Sequence, residues 1–315
     1  MKNSKKYISL LLIICIILFS TSCTKKVQKP TPKKENEPKP LPTVVKEIEK
    51  DTLTIMNQTD MIPYFQRVIV EKKIIEEEKI QIESVKKEEK KDEKTTNQET
   101  SKIVEKEPKP MTIDESILTD ILKKEDTNSS KEAKPPKNID ETWKKINQTI
   151  LMIHNKWNVL EPLLVAQSVS PDIISGFEET LNMLTTYGIN KDYMNTITTT
   201  NHLTSFLPKF MPYFKIDIPP AIYTLKFLTR HAVLNAAMGD YVSAQKSVEK
   251  IQETSQSVKS TLIEKKAKST VDKFDVSVIN LSKSIEKKDM HLIKINGSIV
   301  MKNIMLMIED VTKSM

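Results

Sequence analysis

The chain holds few of the residues from which reactive sites are usually built. Its 315 residues include 2 cysteines, 4 glycines and 2 tryptophans, and aromatic residues make up 5%. Both cysteines, Cys15 and Cys23, fall within the first 23 residues. A chain cut before Cys23 keeps no second thiol, which excludes a disulfide framework and a thiolate metal site. The glycines (Gly176, Gly188, Gly239 and Gly297) are isolated, so there is no glycine-rich phosphate loop. None of the histidines (His154, His202, His231 and His291) has a histidine three or four residues away. The Glu-x-x-His pattern that di-metal bundles take from each of two helices is missing as well. The formal charge of +7 and pI near 9.0 invite a nucleic-acid reading. The signal-like start carries +3 of that charge, residues 24–138 about +1 and residues 139–315 about +3. The excess is dilute and forms no arginine-rich or aromatic-interleaved stripe, so nucleic acid is not an expected partner.

What is present starts at the N terminus with MKNSKKYISLLLIICIILFSTSC. Lys2, Lys5 and Lys6 precede an almost unbroken apolar run from Ile8 to Phe19, and small residues lead to Cys23. A cationic start, an apolar run and a small-residue exit form a secretory signal. A cysteine straight after small residues resembles the lipobox of bacterial lipoproteins. That resemblance implies cleavage before Cys23 and a fatty acyl chain such as palmitate on its thiol. Ser20 and Ser22 stand where the lipobox prefers Leu and Gly or Ala. The expected domains are a signal peptide over 1–22, an anchor and linker over 23–138, and a folded domain over 139–315.

The linker reads as disordered and rich in Lys, Glu and Pro, with ten of the chain's 16 prolines between residues 24 and 138. As a coil, its 115 residues would span roughly 60 Å. Two apolar islands interrupt it. Leu53–Val70 reads as a transient element or a docking segment, and Met111–Lys124 as a short amphipathic helix that packs on the domain or serves as a helix ligand. Between them, opposite charges at three- and four-residue spacings over 71–92 support an exposed helix.

From Ile139 the pattern becomes that of a packed all-α domain. Trp143, Ile146, Ile150, Ile153, Trp157, Leu160 and Leu164 recur at spacings of three and four in heptad, coiled-coil rhythm. Ser170-Pro171 starts a second helix, with Gly188 as its expected stop. Further helices run from Lys191 to about Leu207, Ala221 to Met238, Asp240 to about Lys265, Ser269 to Lys287 and Asp289 to Lys313. Asp192, Asp240 and Asp289, separated by 48 and 49 residues, are placed to cap the helices that follow them. The expected fold is therefore all-α: a bundle of about seven helices, one leading helix and three antiparallel hairpins. The patterns ETW..I......H..WN.LEP (Glu141–Pro162), FEETLNML (Phe177–Leu184) and NAAMGDYVSAQ (Asn235–Gln245) resemble uncharacterised helical-bundle lipoproteins of Gram-positive anaerobic bacteria. That resemblance covers the domain and implies no activity.

Phe206, Phe210, Tyr213, Phe214 and Tyr223 crowd around a segment broken by Pro208, Pro212, Pro219 and Pro220. They are the candidate partner-binding residues, with a connection pinned under its own side chains as the structural alternative. No nucleophile with its base is recognisable, so no catalytic residue, metal ligand or cofactor is assigned. The expected function is that of a non-enzymatic envelope protein, held to the outer side of the cell membrane by Cys23. Its bundle would bind another envelope or extracellular protein or serve structurally. The alternative is a receptor for a small ligand or metal, with a site between helices.

Overall fold

The computed structural model describes residues 38–92, 108–125 and 134–313. Cys23 lies outside the described residues. From Lys39 onward the chain forms a compact unit. It is an all-α bundle, and among the described residues the only β-type pairing is an isolated parallel bridge between Pro40 and Lys215. Among the described residues, ten helices of seven residues or more are present where about seven were expected. They are α1 (Thr43–Asp60), α2 (Ile62–Asp92), α3 (Thr119–Glu125), α4 (Ile139–Ala166), α5 (Pro171–Ile189), α6 (Tyr193–Thr204), α7 (Pro220–Ala237), α8 (Tyr241–Glu264), α9 (Lys268–Glu286) and α10 (Met290–Thr312). The three extra helices come from the segment expected to be linker.

That expectation is corrected over the described part of 39–125. In α1, Val45, Ile48, Thr52, Ile55 and Thr59 recur at spacings of four and three, and all are buried. This face packs against α4 and α6. Two of the five stripe residues are threonines, and the stripe is interleaved with Lys46, Glu47, Glu49 and Lys50, which hid it among charges. The second island also packs on the bundle, placing Leu118, just before α3, and Ile121 and Leu122 within it in the second core, with α3 against α10.

Two cores result. One joins α1, α4 and α5 with the segment after α6, and the heptad stripe from Trp143 to Leu164 is wholly inside it. The other is the antiparallel set α7–α10, closed by contact between α7 and α10 and covered by α3. Helices α6 and α7 touch, linking the two halves.

One turn geometry recurs through the bundle. Ser168, Lys191, Gly239, Lys266 and Lys288 each have a positive φ, between 55° and 82°. After each, the next residue donates its N–H five residues back, as Asp192 does to Tyr187 at 3.0 Å, Asp240 to Asn235 at 2.9 Å and Asp289 to Ser284 at 3.2 Å. Such a left-handed residue satisfies the last carbonyls of the helix it ends. Asp192, Asp240 and Asp289 then accept from Asn195, Ser243 and Leu292, capping α6, α8 and α10. Gly188 does not end α5, which is a second correction. It lies inside the last turn, where an added Cβ would meet Asn147 and Ile150 of α4, so its role is close helix approach.

The chain directions give the bundle two ends. At the upper end, Lys191 pairs with Asp140 at 2.6 Å, Tyr193 reaches Asp60, and Lys294 donates to the carbonyl of Ile113 at 2.7 Å. At the lower end, residues 39–46, the 205–219 connection and the last turns of α8 and α10 come together.

Candidate functional site

The proline-broken segment after α6 lies at the lower end and folds into short helical turns at Leu207–Phe210 and Met211–Tyr213. Its aromatic rings turn inward. Phe177 stacks on Trp157 at 4.3 Å and receives the edge of Phe206 at 5.9 Å, while Phe210 lies 5.7 Å from Phe177. Phe206, Phe210, Phe214 and Tyr223 are buried and Tyr213 is half-buried, all of them in or against the first core. The structure brings these residues together as a knot closing one core. Offset and edge-on ring pairs of this kind add about 0.5–1.5 kcal/mol each beyond area burial.

A cleft of about 460 Å³ opens beside the knot. Leu41, Met211, Ile216, Ile218 and Tyr223 supply its apolar wall, and Lys46, Lys215 and Asp217 its polar groups. The backbone holds it open at one side. Leu41 N–H donates to the Lys215 carbonyl at 3.2 Å, and Lys215 N–H donates to the Lys39 carbonyl at 2.8 Å. Burial and the nearby Glu49 carboxylate push the Tyr223 phenol up to about 12, against the opposing pull of Lys226. The phenol therefore stays protonated near neutrality.

Behind Tyr223 lies a charged clamp that sequence reasoning missed. The Nζ of Lys226 stands 5.0 Å from the Tyr223 ring centroid and contacts Glu49 and, at 3.0 Å, Glu125. Arg230, one turn along α7, pairs with Glu125 and donates to Asn201 at 2.8 Å and Thr204 at 2.9 Å. Burial alone would raise the Glu125 carboxyl, but Arg230 and Lys226 outweigh it and hold Glu125 below its ordinary value. The same carboxylates hold Lys226 above its ordinary value despite burial. The clamp ties α1, α3, α6 and α7 at the joint between the two cores. Each of its charges is answered by another, so it acts as a fastener and offers no free acid or base. The available signal was two cations four residues apart, Lys226 and Arg230, in a helix that carries no carboxylate.

A second buried polar group does similar work at the upper end. The Asp60 carboxylate, closing α1, accepts from the N–H groups of Ile117, Leu118 and Thr119 at 2.7, 2.8 and 2.6 Å. It also accepts from the Thr119 hydroxyl at 2.8 Å, so α3 is capped from another helix. Burial pushes the Asp60 carboxyl up, against the lowering effect of these donors. Outside the cores, Arg67 of α2 binds Glu115 and, at 2.9 Å, Glu71, and donates to the Lys109 and Pro110 carbonyls. The chain has two arginines, Arg67 and Arg230, and each grips the 108–125 segment.

The histidines are dispersed. His154 lies 2.8 Å from the Thr185 hydroxyl, His231 contacts Ser247 and Asn235, and His291 pairs with Asp114 at 3.1 Å. The rings of His202 and His231 lie 6.5 and 5.3 Å from Phe227. Among the described residues, no three His, Cys, Asp or Glu side chains converge as metal ligands would. No helix among them is long and apolar enough to cross a membrane. No protein-family model, curated protein or solved structure matches the chain.

Proposed function

We propose that the protein is an exported, lipid-anchored component of the cell envelope, non-enzymatic, held to the outer side of the membrane through an acylated Cys23. Its helical bundle binds another envelope or extracellular macromolecule or serves as a structural element. The leader that ends at Cys23 carries this reading. It unites a cationic start, an apolar run and small residues before a cysteine. The interior is consistent with a binding or structural role, because the four charges of the clamp neutralise one another. The test is metabolic labelling with a fatty-acid probe in cells making wild type or Cys23→Ala. Label on the wild type alone is expected, and equal labelling of both would sink the anchor.

A second reading, a small-ligand receptor, is favoured by the cleft beside Tyr223. Its apolar wall and two lysines suit a small amphipathic anion. Native mass spectrometry of the full mature chain separates the two readings. A stoichiometric small molecule that is lost on Tyr223→Ala would favour the receptor.

A further inference from the structure

The bundle carries opposite charge at its two ends, and the end nearest the anchor in sequence is the basic one. At the lower end, the segment leading into α1 and its first turn bring Lys39 and Lys46, and the 205–219 connection brings Lys209 and Lys215. The turn between α8 and α9 adds Lys265, Lys266 and Lys268, and the end of α10 adds Lys313. The carboxylates in these segments and in the turn between α4 and α5 are Asp172, Asp217, Glu264, Glu309 and Asp310, with Glu309 paired to Lys313 at 3.4 Å. Eight lysines thus face five acids. The upper-end segments (57–62, 108–120, 134–142, 187–194, 236–243 and 285–292) reverse this, with ten carboxylates and six lysines. Apolar side chains are exposed beside the lower lysines, with Leu163 and Val165 in the last turn of α4 and Ile263 in the last turn of α8.

Chain length turns this polarity into an orientation. With the helices α1 and α2 part of the compact unit, the connection from Cys23 to Lys39 is residues 24–38, 15 residues in place of 115. Fully extended it reaches about 50 Å, and less in any realistic conformation. It also carries five lysines against two glutamates. A bundle on so short a lead meets the bilayer surface often. Lysines are drawn to an anionic leaflet, and exposed apolar side chains settle at the interface.

We infer that the lower end of the bundle is a membrane-docking surface for anionic phospholipid headgroups, with the acidic upper end turned away from the bilayer. The inference rests on the anchor proposed at Cys23. The distinguishing experiment works without the acyl chain, so the two can fail separately. The mature chain carrying Cys23→Ala is floated with vesicles of phosphatidylglycerol in phosphatidylcholine and with vesicles of phosphatidylcholine alone. Binding only to the anionic vesicles, abolished by high salt, is expected. Lys39→Glu/Lys215→Glu/Lys266→Glu should weaken it by at least about tenfold, a scale set by the headgroup contribution of each lysine. The matched upper-end variant Lys134→Glu/Lys137→Glu/Lys287→Glu should bind like the parent. Equal loss in both variants, or equal binding to neutral vesicles, overturns the docking surface. Should the lower-end variant not fold, the comparison of lipids and salt on the parent decides. Self-association in place of vesicle binding would also overturn the inference, by assigning the face to a second copy. If docking holds while Cys23 takes no acyl label, the anchor fails and the surface stands.

Discussion

Arg230 is enclosed on all sides, and its guanidinium is bound to Glu125, Asn201 and Thr204. Removing one partner of such a pair leaves a buried charge uncompensated, at about 3–5 kcal/mol. Arg230→Met should therefore lower the urea midpoint by that equivalent. Arg230→Met/Glu125→Leu should recover part of the loss, since Lys226 keeps Glu49. A double variant less stable than the single would refute the uncompensated-charge account. Trp157 tests the core in a different way. It stacks on Phe177 within the heptad stripe, and truncation to Ala should cost about 3–5 kcal/mol. A midpoint shift equivalent to under about 1 kcal/mol would place the ring outside the core. The stripe was readable because its period is local. The clamp was not, because Glu49, Glu125, Lys226 and Arg230 meet across up to 177 residues of sequence and each looks like helix-surface charge when read alone.

Among the elements, α3 depends most on others. Its seven residues fall short of the length at which an isolated helix holds in water. It persists because Asp60 caps its start, Arg230 and Lys226 hold Glu125 at its end, and Leu118, Ile121 and Leu122 enter the second core. Gly297 of α10 makes room for it, since a Cβ there would come within 2.8 Å of Val233 and 3.2 Å of Ile121. Asp60→Ala should release this segment selectively. By hydrogen exchange, the amides of residues 117–122 should lose protection while those of α5 keep theirs. Equal loss in both would mean that Asp60 supports the whole bundle. The hairpins α5–α6, α7–α8 and α9–α10 were legible in their Asp caps, whose rhythm matches the recurring left-handed turn at the upper end. Helix α1 was not, because two threonines interrupt its buried apolar face and charged residues flank it. The aromatic knot was legible as a cluster only. Nothing in its spacing tells inward rings from outward ones.

For the molecule as a whole, the buried titratable groups set a pH dependence. Burial holds His154 and His231 below the ordinary histidine value, helped at His231 by the His202 and Lys250 charges. Both are neutral in the fold, so their contribution is full above the unfolded value of about 6.5 and is lost as pH falls through their lower folded values. Glu125 is also depressed, as are Glu71 and Glu115, which hydrogen-bond to Arg67. Their contribution is full above about 4.5 and is lost below it. Asp60, pushed up by burial, opposes this and makes the acid limb shallower. Urea midpoints should hold near neutrality, fall below about pH 6.5 and fall again below about 4.5. A midpoint that rises on acidification through this range would refute the assignment.

The pairing of α1 with α4 and α6 has a consequence for how the protein is made. A nascent chain emerges from its N terminus, and α1 comes out about 80 residues before α4, the earlier of the two helices that cover its apolar face. Until α4 and α6 follow, the apolar face running from Val45 to Met56 has no native cover, and such faces aggregate or recruit a holdase. Helix α3 waits longer still, for α10 at the far end of the chain. The packing of α1 and α3 is therefore complete only once helices made later have emerged. The C-terminal hairpins, built from neighbours in sequence, need no such wait.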